Sequence, residues 1–135
     1  MKSICSWLER KLFLKVNATK TKVVRPTRSK YLGFTFLKNG SEWKVRPTNE
    51  KKKKLKKKLS EYLKRGKAVA RSLAVTIKRV NEIVRGWINY FRIGMMKLFM
   101  EELGEWLRHK MRVIVMKQWK KPKTIYRNLS YLNWK

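Results

Sequence analysis

Seven lysines fall within eight positions, Lys51, Lys52, Lys53, Lys54, Lys56, Lys57 and Lys58, with only Leu55 between them. Ammonium groups at that density neutralise phosphates, and each phosphate contact releases condensed counterions and adds affinity without regard to sequence. Two further sets recur at helical spacing: the cations Lys78, Arg85 and Arg92 with the neutral Asn89, then Arg108, Arg112, Lys117, Lys120 and Lys121. Tryptophan, tyrosine and phenylalanine are interleaved with them, and their ring faces can stack on unpaired bases. Trp119 and Trp134 stand in basic surroundings outside the apolar stripes and are the better stacking candidates, whereas Trp87 and Trp106 read as core.

Catalytic chemistry finds little to work with. The chain has no aspartate, and its eight carboxylates are glutamates scattered along the sequence. Two-metal phosphoryl transfer requires clustered carboxylates on a rigid scaffold, so that chemistry is not expected. His109 is the single histidine and lies in a basic helix, with no aspartate to orient it as a base. There is no glycine-rich phosphate loop and no metal-ligand spacing. Cys5 has no partner for an intramolecular disulfide and reads as a small apolar residue on a helix. No cofactor is expected.

A net charge of +29 over 135 residues would suit a disordered tail, but 43% hydrophobic content and six tryptophans leave too much apolar area for water. The basic residues therefore decorate a fold of one-domain size. Apolar spacing predicts a helix over 4–14, then β segments at 22–25 and 31–37. Asn39-Gly40 marks a hairpin turn, and the expected register sets Lys38 opposite Ser41, Phe36 opposite Trp43 and Phe34 opposite Val45. Pro47 stops the second strand, and Thr48 or Asn49 caps a lysine-rich helix that Gly66 ends. A second helix starts after Ser72, with Leu73, Ile77, Val80, Val84, Trp87, Ile88 and Phe91 on its buried face and Gly94 at its end. Gly86 interrupts it, as a close backbone approach would require. A third runs over 96–119, stopped by Pro122, and the segment 125–134 is left without an assigned structure. The fold class is thus α+β: a short N-terminal helix and a small antiparallel β-hairpin region, then a basic three-helix bundle. No run approaches a membrane span, charges at Glu9, Arg10 and Lys11 interrupt any signal-peptide core, and a cytoplasmic location without membrane attachment is expected.

Several strings in this order resemble a known family. Val16-Asn17-Ala18-Thr19-Lys20-Thr21-Lys22-Val23 and Tyr31-Leu32-Gly33-Phe34 are similar to the end of the palm in group II intron reverse transcriptases. Trp43-Lys44-Val45-Arg46-Pro47, the string Asn81-Glu82-Ile83-Val84-Arg85-Gly86-Trp87-Ile88-Asn89-Tyr90-Phe91, and the stretch from Trp106-Leu107-Arg108 to Lys117-Gln118-Trp119-Lys120 resemble the maturase-specific domain that follows, also called domain X or the thumb. The Arg-Gly-Trp-x-Asn-Tyr-Phe portion is the most specific.

The resemblance implies two regions: a palm-edge remnant with a primer-grip-like hairpin over 1–47, and a maturase-specific helical domain over 48–135. It implies that Lys20 occupies the lysine position of the palm-edge motif and Tyr31, Leu32, Gly33 and Phe34 the primer-grip turn. It also implies that the chain begins after the place of the family's catalytic aspartates, and so corresponds to the C-terminal part of a longer protein with no polymerase site of its own. The implied partners are group II intron RNA or a template-primer duplex, with a palm and finger polypeptide as a further one. Two alternatives stand beside it: the thumb subunit of a split reverse transcriptase, and a nonspecific basic nucleic-acid-binding protein. Self-repulsion at this charge favours a monomer without RNA.

Overall fold

A computed structural model describes residues 2–17 and 19–131 of the chain. Helix α1 (Lys2–Leu12) comes first, and a single 3-10 turn (Pro26–Arg28) follows an irregular stretch. The segment expected as a strand over 22–25 is irregular, because Pro26 locks its own φ and starts that turn. Three strands, β1 (Lys30–Tyr31), β2 (Phe34–Asn39) and β3 (Glu42–Pro47), then form an antiparallel sheet in the order β1-β2-β3. Five helices complete the described chain: α2 (Asn49–Tyr62), α3 (Arg65–Val69), α4 (Leu73–Phe91), α5 (Lys97–Gln118) and α6 (Pro122–Tyr131). The architecture is the expected α+β order, with a third strand and two short helices added.

The sheet differs from the sequence reading at both turns. The stretch 31–37 is not one strand: Tyr31 pairs with Phe34 across a two-residue turn in which Leu32 has φ 48° and Gly33 φ 85°. Positive φ at both central residues is the type I′ condition. At the second turn Asn39 pairs with Glu42, and only the first central residue, Gly40, has positive φ, at 61°. That is the type II′ condition, with glycine first. The register therefore sits two residues from the expected one: Phe36 faces Val45, Phe34 faces Pro47 and Lys38 faces Trp43. A two-residue slip preserves parity, so Phe34, Phe36, Trp43 and Val45 still share a face.

The core lies among the helices. Leu55, Leu59 and Leu63 at the α2 end, Ala68 of α3, Val80 of α4, and Leu103 and Ile114 of α5 are buried together. Trp87, Phe99, Trp106 and Met111 close around them. The α4 stripe is rotated slightly from expectation: Thr76 is fully buried, with its hydroxyl donating to the Ser72 carbonyl at 3.1 Å, while Ile77 is 42% exposed. Gly66 lies inside α3 rather than ending α2, whose cap is Leu63. Pro122 begins α6 instead of closing α5; at a first helical position its missing N–H costs nothing.

The close backbone approach expected at Gly86 occurs at other glycines. Gly86 has open space where a Cβ would lie, so no backbone approaches it. The close approaches occur at Gly94, where a Cβ would sit 3.2 Å from Pro47 Cδ and 3.3 Å from the Phe34 ring, and at Gly33, 2.9 Å from Lys51 Cε. Together with hydrogen bonds from the Thr48 N–H to the Gly33 carbonyl and from the Met95 N–H to the Val45 carbonyl, both 2.8 Å, they tie the sheet to α2 and to the α4–α5 connection.

Candidate nucleic-acid interface

Helix α2 distributes its lysines in three directions. Leu55 and Leu59 turn inward, so the positions beside them must flank the seam. On the α5 side, Lys52 Nζ lies 5.2 Å from the Phe99 ring centroid and Lys56 Nζ 5.6 Å from that of Trp106. Lys110, which breaks the apolar stripe of α5, also meets Trp106, at 5.8 Å. Lys53 and Lys57 are exposed, and Lys57 reaches Glu61 only at 4.0 Å. On the α4 side, Lys51, Lys54 and Lys58 line one edge of a groove.

That groove, of about 590 Å³, runs between α2 and α4. Its opposite edge carries Arg79 and Glu82, and Leu55, Ile83, Trp87, Tyr90 and Phe91 supply its apolar surface. Arg79 Nη1 donates to Glu82 Oε2 at 2.8 Å, so four cations and one carboxylate share the rim. The aromatic floor is fixed from both sides: the Trp87 and Phe91 ring centroids are 4.5 Å apart and those of Tyr90 and Phe91 4.7 Å. The Tyr90 hydroxyl donates to the Leu32 carbonyl at 3.0 Å, and its ring stacks with Phe34 at 6.1 Å. The two strings that resemble separate family motifs, Tyr31 to Phe34 and Trp87 to Phe91, thus pack on each other.

The remaining residues singled out in the sequence fall in other places. Lys78, Arg85, Asn89 and Arg92 are exposed on α4 or at its C-cap, away from the buried stripe. Arg92 lines a second cleft with Arg46, Lys52 and Lys97. Arg108 and Arg112 edge a third, between α4 and α5, whose walls include Leu73, Ile77 and Val80. Lys117 is exposed near the end of α5, and Lys120, with φ 56°, and Lys121 form the turn into α6. Trp119 is half-buried at the α5 cap, less open than a stacking residue outside the stripes would be. Lys20 is exposed in a turn that Asn17 organises, Oδ1 accepting from the Thr19 and Lys20 N–H groups at 3.1 Å each. Trp134 lies outside the described residues.

Charge dominates all of these surfaces, because eight carboxylates cannot neutralise thirty-seven lysines and arginines. Its effect is visible at Glu50. The Lys30 ammonium hydrogen-bonds this carboxylate and, with Lys54 and Lys51 behind it, holds the carboxyl below its usual range. Two contributors to the site escaped the sequence reading. Arg79 stands seven residues before Gly86 on one stripe of α4 and could have been found by extending that stripe. Tyr90 was visible only as part of a motif. Among the described residues no group of histidine, cysteine and glutamate could hold a metal ion, and no helix is long and apolar enough to cross a membrane.

The fold is thus of a definite class: a cationic helical bundle with an aromatic-floored groove, carried beside a small antiparallel sheet. Comparison with known families matches residues 52–132 to the group II intron, maturase-specific domain, and with more than half of its length matched the chain belongs to that family. The family is associated with intron RNA binding and splicing. The match takes in most of α2 and all of α3 to α6. No reverse-transcriptase catalytic domain is identified beside it. No curated protein matches the chain.

Proposed function

We propose that this chain is a non-catalytic RNA-binding module that holds the folded form of a group II intron RNA, so that the RNA carries out its own splicing. The observation that carries the reading is the α2–α4 surface, where Lys54, Lys58 and Arg79 of the matched segment, with Lys51 just before it, surround aromatic rings. A maturase acts by differential binding: the RNA fold it holds more tightly becomes more populated. Lysines and arginines on α2, α4 and α5 supply affinity for phosphates, and selectivity comes from RNA shape and from stacked bases. With six phosphates engaged on duplex RNA, the log-log salt slope would be on the order of −5. The test is splicing of the precursor RNA at limiting magnesium: the protein accelerates it in proportion to RNA bound, and no acceleration at saturation refutes the reading.

A second reading is favoured by a separate observation. Ile4, Trp7, Phe13, Leu14, Val23 and Val24 are all about half exposed or more, a concentration of apolar side chains outside the bundle. Such a surface suits a palm polypeptide, with the Tyr31–Phe34 turn and the bundle clamping a template-primer duplex behind its site. Mixing with a matching palm fragment restores primer extension under this reading. Absence of extension together with tight RNA binding removes it.

A further inference from the structure

The groove between α2 and α4 has a feature that phosphate binding alone does not use. Along it α4 carries Gly86, a poor helix former inside a 19-residue helix, and nothing beyond its chain neighbours and the helix's own backbone lies within 4 Å of where its Cβ would be. No turn, positive φ or close packing requires glycine here. What the missing side chain yields is room beside Tyr90 and Trp87, in a groove whose roughly 590 Å³ falls within the range of sites for nucleotide-sized ligands.

We infer that this groove binds unpaired RNA: a base enters over Gly86 and stacks on Tyr90, while the flanking phosphates lie on Lys51, Lys54 and Lys58. The inference rests on the RNA-binding reading above and adds the class of RNA and the place. Charge complementarity selects a polyanion, since the rim sets four cations against Glu82 alone. The aromatic surface selects an unpaired strand, because paired bases in an A-form helix keep their faces stacked and present only phosphates, sugars and edges. Tyr90 is 55% exposed, yet its hydroxyl is held on Leu32 and its ring against Phe34, so the stacking face is oriented before the base arrives. Glu82 holds Arg79 at 2.8 Å and competes with a phosphate for it.

The experiment compares the intact chain with Gly86→Leu, Gly86→Ala and Glu82→Gln. The probes are a labelled single-stranded oligoribonucleotide of mixed sequence and a fully paired RNA duplex of the same length. Leucine favours the helix and changes no charge, so Gly86→Leu melts no lower than the parent while its side chain occupies the groove. It is expected to lose roughly tenfold in affinity for the single strand, the size of one lost base stack, with duplex affinity unchanged and Gly86→Ala close to the parent. Glu82→Gln is expected to tighten single-strand binding and to steepen its salt slope by about 0.7, one added phosphate contact. Equal single-strand affinity for Gly86→Leu and the parent overturns the groove assignment. An equal loss for strand and duplex overturns the preference for unpaired RNA. Failure of the parent to bind either probe overturns the RNA-binding reading itself.

Discussion

Replacing Lys51, Lys54 and Lys58 together by glutamine separates binding from folding more sharply than any single change. The three form like-charge pairs at i,i+3 and i,i+4 along α2, each of which destabilises a helix by about 0.2–0.5 kcal/mol. Glutamine has nearly the helix propensity of lysine, and it keeps the Cγ methylene that in Lys51 lies beside Gly33, losing only the outer Cε. The variant should therefore melt at or above the parent temperature. Binding moves the other way. On a single strand each phosphate contact contributes about 0.7 to the salt slope, so the loss of three lowers it by about 2. That corresponds to a loss of roughly 100-fold at 0.1 M salt and roughly 30-fold at 0.2 M. Fluorescence anisotropy of a labelled single-stranded RNA over a salt series, with thermal unfolding in parallel, reads both quantities. An unchanged slope in a folded variant would refute the placing of phosphates on this edge of α2.

The other predictions concern separate parts of the molecule. Arg85→Ala combined with Arg92→Ala removes two exposed cations from α4 and its cap; RNA binding weakens, the salt slope falls by about 1.4, and the far-ultraviolet helical signal is retained. Loss of that signal would show that one of them supports the fold. Leu59→Ala, at a fully buried position, costs about 2–5 kcal/mol in chemical denaturation. A cost under 1 kcal/mol would mean the bundle core is less closed than described. Leu32→Asn, at φ 48°, raises stability by about 0.5–1 kcal/mol, since asparagine tolerates the left-handed region better than leucine; a lower melting temperature would show that the exposed leucine side chain contributes more than its backbone strain costs.

The long helices were legible because their periodicity is strong. Ser72 caps α4 and Met96 and Trp119 bracket α5 at the expected positions, and the inward side chains Val80, Trp87, Phe91, Leu103 and Ile114 follow from spacing alone. Strand faces were legible too, since parity survives a two-residue error in register. Periodicity alone hides the turn at Leu32-Gly33, because leucine in a run of alternating apolar residues signals strand; only the family resemblance marks a turn over Tyr31 to Phe34, and the backbone angles show it. Pro122 reads as a stop in the sequence, although a proline serves equally as a first helical residue. The cationic character of the site was evident from composition, but its groove was not. The separation of Lys51, Lys54 and Lys58 from Lys52 and Lys56 depends on where α5 packs, which spacing along α2 does not show. The close approach that a glycine within a helix suggests at Gly86 occurs instead at Gly33 and Gly94.

Selective binding of intron RNA distinguishes a maturase from a merely charged surface. The most direct measurement is affinity for the intron RNA read from the DNA flanking this chain's gene, against an unrelated structured RNA of equal length, titrated over salt. A preference of about 100-fold or more, about 2.7 kcal/mol, is expected to persist at high salt where phosphate contacts have weakened. Equal affinities that vanish together as salt rises would contradict it and leave only a charged surface.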